Sequence, residues 1–198
     1  MSEAWGVERG ALWALDLPAP GPAPDVPPGI RFGEVDIDGA AALAAAMSVA
    51  EQEVVSRWRL GCRVIGAWHG EEVAAYCWLS TRRQWVGELA RDLVLPPGDS
   101  YVWDCATVPR FRGRGLYTSL LRTIVRMLAA EGQRRVWIGA SSTNRASNRA
   151  FGSAGFTPAV SAIALRLAGR GVLLRIWGAA DADSELVGAG RRLLTGRR

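Results

Sequence analysis

"VPRFRGRGLYTSLLRTIVRML", residues 108 to 128, decides how the chain is read. Three arginines and two glycines crowd positions 110 to 115, and a helical pattern follows at once. Tyr117, Leu120, Leu121, Ile124 and Leu128 recur on one helix face, while Thr118, Arg122 and Arg126 lie elsewhere. Amides at such a turn and at the helix N-terminus have no partner within the helix, and the helix dipole favours an anion there. Glycines allow close backbone approach, and Arg112 and Arg114 add charge. Two familiar phosphate loops do not fit. A Walker A loop needs a lysine, and all 24 basic residues here are arginine. A dinucleotide fingerprint needs a third glycine where Thr118 stands. A pyrophosphate cradle of another type is left, alongside a grip on a nucleic-acid backbone.

Working outward, "SYVWDCATV" (100–108) is apolar on both faces, as in the middle of a sheet. "RRVWIGA" (134–140) is a second strand, and "NRASNRAFGSAG" (144–155) a helix ending at Gly155. Upstream, "IRFGEV" (30–35) is a strand, followed by an alanine-rich helix from Gly39. A second helix follows in "SVAEQEVVSRWRL" (48–60), where Ser48 and Glu51 form a capping-box pattern. "RVIGAWHG" and "EEVAAYCWLS" (63–80) make a hairpin whose turn holds His69, an incidental residue. Residues 81–99 are loop-rich, and "VSAIALRLAG" (160–169) and "GVLLRIWG" (171–178) are two more strands. This order predicts an α/β fold with an α+β mixed sheet.

Six of the ten prolines lie in residues 17–29, an extended linker. Residues 1–29 are thus expected as an appended segment and linker, 30–178 as the domain, and 179–198 as a tail with a frayed helix. The first sixteen residues either dock as a short element or form a poorly ordered end.

A composition of 49% hydrophobic and 22% charged residues describes an ordinary globule. No stretch reads as a membrane span or signal peptide, and Cys62, Cys77 and Cys105 read as reduced thiols without metal-site spacing. A cytoplasmic protein without a metal is expected, as monomer or homodimer. Between Arg110 and Arg149 nine arginines face one glutamate, a local +8 in a chain of +5. That concentration suggests one anionic partner at one place. The cluster lacks the interleaved aromatic platform of a nucleic-acid surface, so nucleic acid is not the expected partner.

Strand, "PRFRGRGLY", helix, strand and "NRASNRAFGSAGF" together resemble the Gcn5-related N-acetyltransferase (GNAT) superfamily over about residues 30 to 178. Its [QR]xxGx[GA] signature fits in two frames: Arg110 to Gly115, or Arg112 to Tyr117 with Tyr117 where Gly or Ala is common. About thirty residues on, Asn144, Ser147, Phe151 and Gly155-Phe156 match the family's second block. The resemblance implies a splayed sheet with acyl-coenzyme A wedged between two strands, and acetyl-CoA as the donor. Backbone at Thr107 and Val108 would pair with the pantetheine. Amides of Arg112, Gly113, Arg114, Gly115, Leu116 and Tyr117 would hold the pyrophosphate. Asn144 and Ser147 would touch the cofactor, with Phe151 near the thiol; Asn144 is equally a plain helix cap.

Two roles of the family are vacant: Phe151 replaces the tyrosine that serves as acid, and Gly139 stands where a glutamate helps remove a proton. Asp104, inside an apolar strand, is expected to be buried and is the first candidate catalytic group. Tyr101 and Glu88 follow it. The implied function is N-acyl transfer, most simply acetyl transfer to a small-molecule or amino-acid-like amine, by direct attack in a ternary complex. An acyl-CoA-binding module without turnover is the alternative.

Overall fold

Near-continuous apolar runs in residues 63–80 bury both faces of a strand pair inside the sheet. The structure is a computed structural model that describes residues 5–17, 23–89, 91–167 and 170–196. Ten strands form in chain order: β1 (Trp5–Asp16), β2 (Ile30–Glu34), β3 (Arg63–His69), β4 (Glu72–Ser80), β5 (Arg83–Val86), β6 (Arg91–Val94), β7 (Asp99–Thr107), β8 (Arg135–Ser141), β9 (Thr157–Leu167) and β10 (Arg170–Gly178). The helices are α1 (Ala40–Met47), α2 (Glu51–Arg59), α3 (Leu116–Ala130), α4 (Arg145–Ser153) and α5 (Ser184–Thr195). Eight strands make one mixed sheet in the order β10-β9-β1-β8-β7-β4-β3-β2, and β5 and β6 pair separately.

On one face α3 and α4 cover Ile65, Leu79, Val102, Val136 and Ile138 with Leu120, Leu121, Ile124 and Phe151. The α3 stripe read from sequence is this buried face. The opposite face is covered in two parts. Helices α1 and α2 lie over Val64, Tyr76 and Trp78, and α5 with the β5–β6 pair lies over Leu12, Tyr101, Trp137 and Ala162. A gap between those two covers is what exposes the site.

Residues 5–16 are not an appendage. They form β1, paired with β8 on one side and β9 on the other. Leu12 and Ala14 pack on the α5 face, while Trp13 and Leu15 pack against the α3–α4 core. A segment apolar on both faces needs an interior place in a sheet, and the proline-rich residues after it only lead the chain to the far edge. Of that linker, 18–22 lie outside the described residues.

Three smaller expectations are corrected. Ser48 is the left-handed C-cap of α1 (φ 58°), and Ala50 precedes α2 without a side-chain cap, so no capping box forms. Residues 81–99 contain the β5–β6 pair. The tail helix α5 does not fray: Asp183 caps it, and Leu186, Leu193 and Leu194 are buried against the sheet. No helix among the described residues is long and apolar enough to cross a membrane.

Candidate active site

Strands β7 and β8 run parallel and pair only from Asp99↔Arg135 to Val102↔Ile138. Beyond that point β7 continues along β4 to Thr107, and β8 continues along β1 to Ser141. The two strands therefore part like a fork. The cause lies two residues further along β7. Trp103 pairs with Trp78 and Ala106 with Tyr76, so Asp104 and Cys105 together oppose Cys77. This is a β-bulge, which bends its strand and increases its twist. Asp104 holds the extra position with φ 41°, rare for a residue with a Cβ.

The bulge also overturns the expectation for Asp104. Its side chain is turned outward, 37% exposed, and paired with Arg57 of α2. The Arg57 guanidinium lies against both Trp78 and Trp103, 5.1 and 5.0 Å from ring centres that are themselves 5.9 Å apart, and also binds Glu53 at 2.8 Å. A paired, exposed carboxylate has no burial cost to explain. Arg57 was not singled out in the sequence; its only local signal was the i,i+4 spacing to Glu53.

A cleft of about 540 Å³ opens on this face of the fork. Asp104, Tyr101 and Glu88 all line it, together with Trp85, Trp103 and Gly139. The three candidate catalytic residues are thus brought to one place, although they come from a strand and a distant turn. Residues 8–12 of β1 form the opposite wall, a contribution that the sequence reading missed. Tyr101 is 6% exposed. A Cβ on Gly139 would sit 3.3 Å from the Tyr101 hydroxyl, so the missing side chain at 139 leaves the room this phenol uses. Burial pushes the phenol above its ordinary range, and the charge of Glu88 adds to the effect. At neutral pH Tyr101 is therefore a protonated phenol, able to donate a hydrogen bond and not to act as a base.

On the α3 face, the glycine turn has the predicted form. Gly113 (φ 76°) and Gly115 (φ 72°) are left-handed, and Gly115 caps α3 with no side chain over the first amides. A Cβ at either would meet nothing within 4 Å, so the space above the turn is open. Two positive-φ glycines leading into a helix aim successive N–H groups outward, which suits a pyrophosphate. Strand alternation separates the two residues expected to pair with pantetheine. The Val108 amide donates to Ala74 at 2.9 Å and its carbonyl accepts from Phe111 at 2.9 Å, so Val108 is engaged within the fold. The Thr107 backbone groups point away from β4, toward the fork, and its carbonyl accepts from Arg112 Nε at 3.1 Å. Of the two, Thr107 has backbone groups turned to the fork, whereas those of Val108 are taken up within the fold.

Asn144 caps α4 by accepting from the Ser147 amide at 3.1 Å. Phe151 is 1% exposed and meets Trp13 of β1, Tyr117 of α3 and Phe156 at ring distances of 5.8, 6.3 and 6.4 Å. Tyr117 leans into the fork instead of over the phosphate turn. Its hydroxyl interacts with Cys105 and Ser147, and burial pushes it well above the ordinary phenol range. The residues present therefore fit coenzyme A at the turn, at Thr107 and along the fork. Tyr117 narrows the slot beside Phe151.

The comparisons with known proteins agree with this geometry. No curated protein sequence matches the chain. Among solved structures, a GCN5-related N-acetyltransferase from Sphaerobacter thermophilus superposes with a TM-score of 0.62 at 17% identity, over 87% of this chain and 53% of its own. An acetyltransferase of the GNAT family from Novosphingobium aromaticivorans gives 0.57 at 21% identity, over 90% and 69%. The ribosomal-protein-S18-alanine N-acetyltransferase of Escherichia coli gives 0.53 at 14%, over 76% and 97%. At these identities the likeness is one of fold, and the chain spans about half the length of the Sphaerobacter protein. The model of the acetyltransferase (GNAT) family matches residues 39–156, which hold α1 to α4, the bulge, the fork and the glycine turn; the chain belongs to that family.

Proposed function

We propose that the protein is an acyl-CoA-dependent N-acyltransferase that transfers an acetyl group to the amine of a small molecule by direct attack in a ternary complex. The observation that carries this reading is the fork. It joins an anion-binding glycine turn on one face of the sheet to a cleft lined by Tyr101, Glu88 and Asp104 on the other. When bound, acetyl-CoA would supply the thioester carbon that the amine attacks in its neutral form, any ammonium first giving a proton to water; the second nitrogen proton and the leaving thiolate end, through water, as free thiol.

The chain's own residues bind and orient. Amides from Arg112 to Tyr117 hold the pyrophosphate, and the Thr107 backbone pairs along the slot. The Tyr101 hydroxyl, next to Gly139 where the strands part, donates toward a developing oxyanion. Glu88 faces the incoming amine. Positioning alone is worth effective molarities of about 10⁵ M or more, whereas a general acid or base adds about 10²- to 10⁴-fold, so the hydroxyl-free Phe151 is compatible with turnover.

The test is binding and thiol release. With coenzyme A about 100-fold above its Kd, unfolding free energy rises by about 2.7 kcal/mol, and the melting temperature rises with it. Acetyl-CoA with an amine panel releases free thiol. Binding without release from any amine identifies an acyl-CoA-binding module instead, and absence of binding removes both readings.

A further inference from the structure

The cleft has a chemistry of its own. Its charged lining residues are Glu8 and Arg9 of β1, Glu88 and Asp104, three carboxylates to one arginine. Asp104 is answered by Arg57. Glu88, at the turn between β5 and β6, has no ion-pair partner among the described residues. The neighbouring Tyr101, more than nine-tenths buried, turns a hydroxyl toward the cleft without a hydrogen-bond partner among them. Around this pair the wall is flat and apolar: Trp85 is 54% exposed, and Trp103 and Leu89 complete it. An exposed tryptophan beside a carboxylate without an ion-pair partner suits a ligand that is cationic at one end and flat at the other.

We infer that the acceptor is a primary amine arriving as its ammonium form, carried on an aromatic or flat apolar body, with no carboxylate beside the amine. This rests on the transferase reading and narrows it. The ammonium meets Glu88 and the Tyr101 oxygen where the strands part, and the body lies on Trp85 and Trp103. A carboxylate on the adjacent carbon would enter a lining of three carboxylates, Glu8, Glu88 and Asp104, against the single cation Arg9, so an α-amino acid is selected against by desolvation and repulsion. A hexosamine could lay its C–H face on tryptophan, but its rim hydroxyls would find few partners along Trp85, Trp103 and Leu89.

Binding is measured by calorimetry on the full chain saturated with coenzyme A, which needs no turnover. The probes are 2-phenylethylamine, phenylalanine, 2-phenylethanol and glucosamine. The expected order puts 2-phenylethylamine at least about tenfold tighter than each of the others, the factor a charged hydrogen bond supplies. Glu88→Gln weakens it by about tenfold and brings it level with 2-phenylethanol. Trp85→Ala, at an exposed position, weakens the amine and the alcohol alike. Equal or tighter binding of phenylalanine or glucosamine overturns the inference, as does an affinity indifferent to Glu88→Gln. If 2-phenylethylamine binds as expected but acetyl-CoA releases no thiol with it, the ligand class stands and the transferase reading fails. If thiol is released with glucosamine or phenylalanine alone, the transferase reading stands and this inference falls.

Discussion

On one side of the fork, β2, β3, β4 and β7 lie in the sheet in chain order, joined in turn by α1 and α2, by a hairpin, and by the separate β5–β6 pair. On the other side, β8 is flanked by β1 from the start of the chain, and then by β9 and β10 from its end. The first half leads directly into the glycine turn. The second half supplies much of the acceptor wall from residues 8–12 and from the elements packed over them. The cofactor side is thus built from local sequence and the acceptor side from long-range pairing. The two sides are expected to respond differently to damage.

The largest difference comes from removing residues 1–16. Without β1, β8 loses its partner along Gly10 to Asp16 and β9 along Trp5 to Ala14, and a row of backbone groups is left unpaired inside the sheet. The truncated chain is expected to lose cooperative unfolding and to aggregate through its open edges, as seen by near-UV circular dichroism and light scattering. A truncated chain that still melts in one sharp transition at the original temperature would show that the second half stands without β1.

Next in size is Phe151, the ring that bridges the halves. It touches Trp13 on one and Tyr117 on the other. Phe151→Ala is expected to cost about 3–5 kcal/mol in urea unfolding, as for other large-to-small changes in a core. A loss below about 1 kcal/mol would mean that the halves meet elsewhere.

The glycines sharpen the contrast. Gly115 needs its left-handed backbone, so Gly115→Val costs about 1–2 kcal/mol and displaces the amides of the turn. Coenzyme A affinity is then expected to fall by more than tenfold while the acceptor cleft is untouched. Gly139 has an ordinary φ, and its substitution is decided by space. Gly139→Ala puts a methyl 3.3 Å from the Tyr101 hydroxyl, which must shift by a few tenths of an ångström. Acceptor affinity is expected to change and coenzyme A affinity to hold. Equal effects of the two substitutions on coenzyme A would erase the division between the sides.

That division also explains what could be read from the sequence. The glycine turn, α3 and the cap of α4 are local: Gly113, Gly115 and Asn144 each act within a few residues of their own position, so spacing displayed them. The fork was implied only by resemblance, because strand parting depends on which strands pair. Asp104 was misread for a related reason. "YVWDCATV" looks like a regular strand, and one extra residue in a bulge reverses which face a side chain takes without altering composition. β1 did carry a signal, apolar residues on both faces from Leu12 to Leu15, but its partners lie more than a hundred residues away. The proline-rich residues that follow resemble a domain boundary, and nothing local distinguishes a linker from a crossover to the far edge.

The smallest expected effect concerns pH and involves both halves. Tyr76, Tyr101 and Tyr117 are the chain's three tyrosines, and burial raises all three, Tyr76 to about 12 with the charge of Asp104 second. In the unfolded chain each ionises near 10. Above that pH the unfolded state has released protons that the folded state still holds, so stability is complete below about pH 10 and falls as pH rises. Each such tyrosine contributes a slope of about 1.4 kcal/mol per pH unit, ending for Tyr76 once its folded-state value near 12 is passed. Tyr76→Phe is therefore expected to make the alkaline limb of urea stability shallower by one proton, leaving neutral stability nearly unchanged. Tyr101→Phe is expected to do the same to the slope and also to slow turnover, because its hydroxyl faces the cleft whereas Tyr76 lies under α1 and α2. An unchanged slope in either variant would mean that its phenol is open to solvent. A Tyr76→Phe variant that lost as much activity as Tyr101→Phe would place the chemistry on the α2 side of Asp104, not where β7 and β8 part.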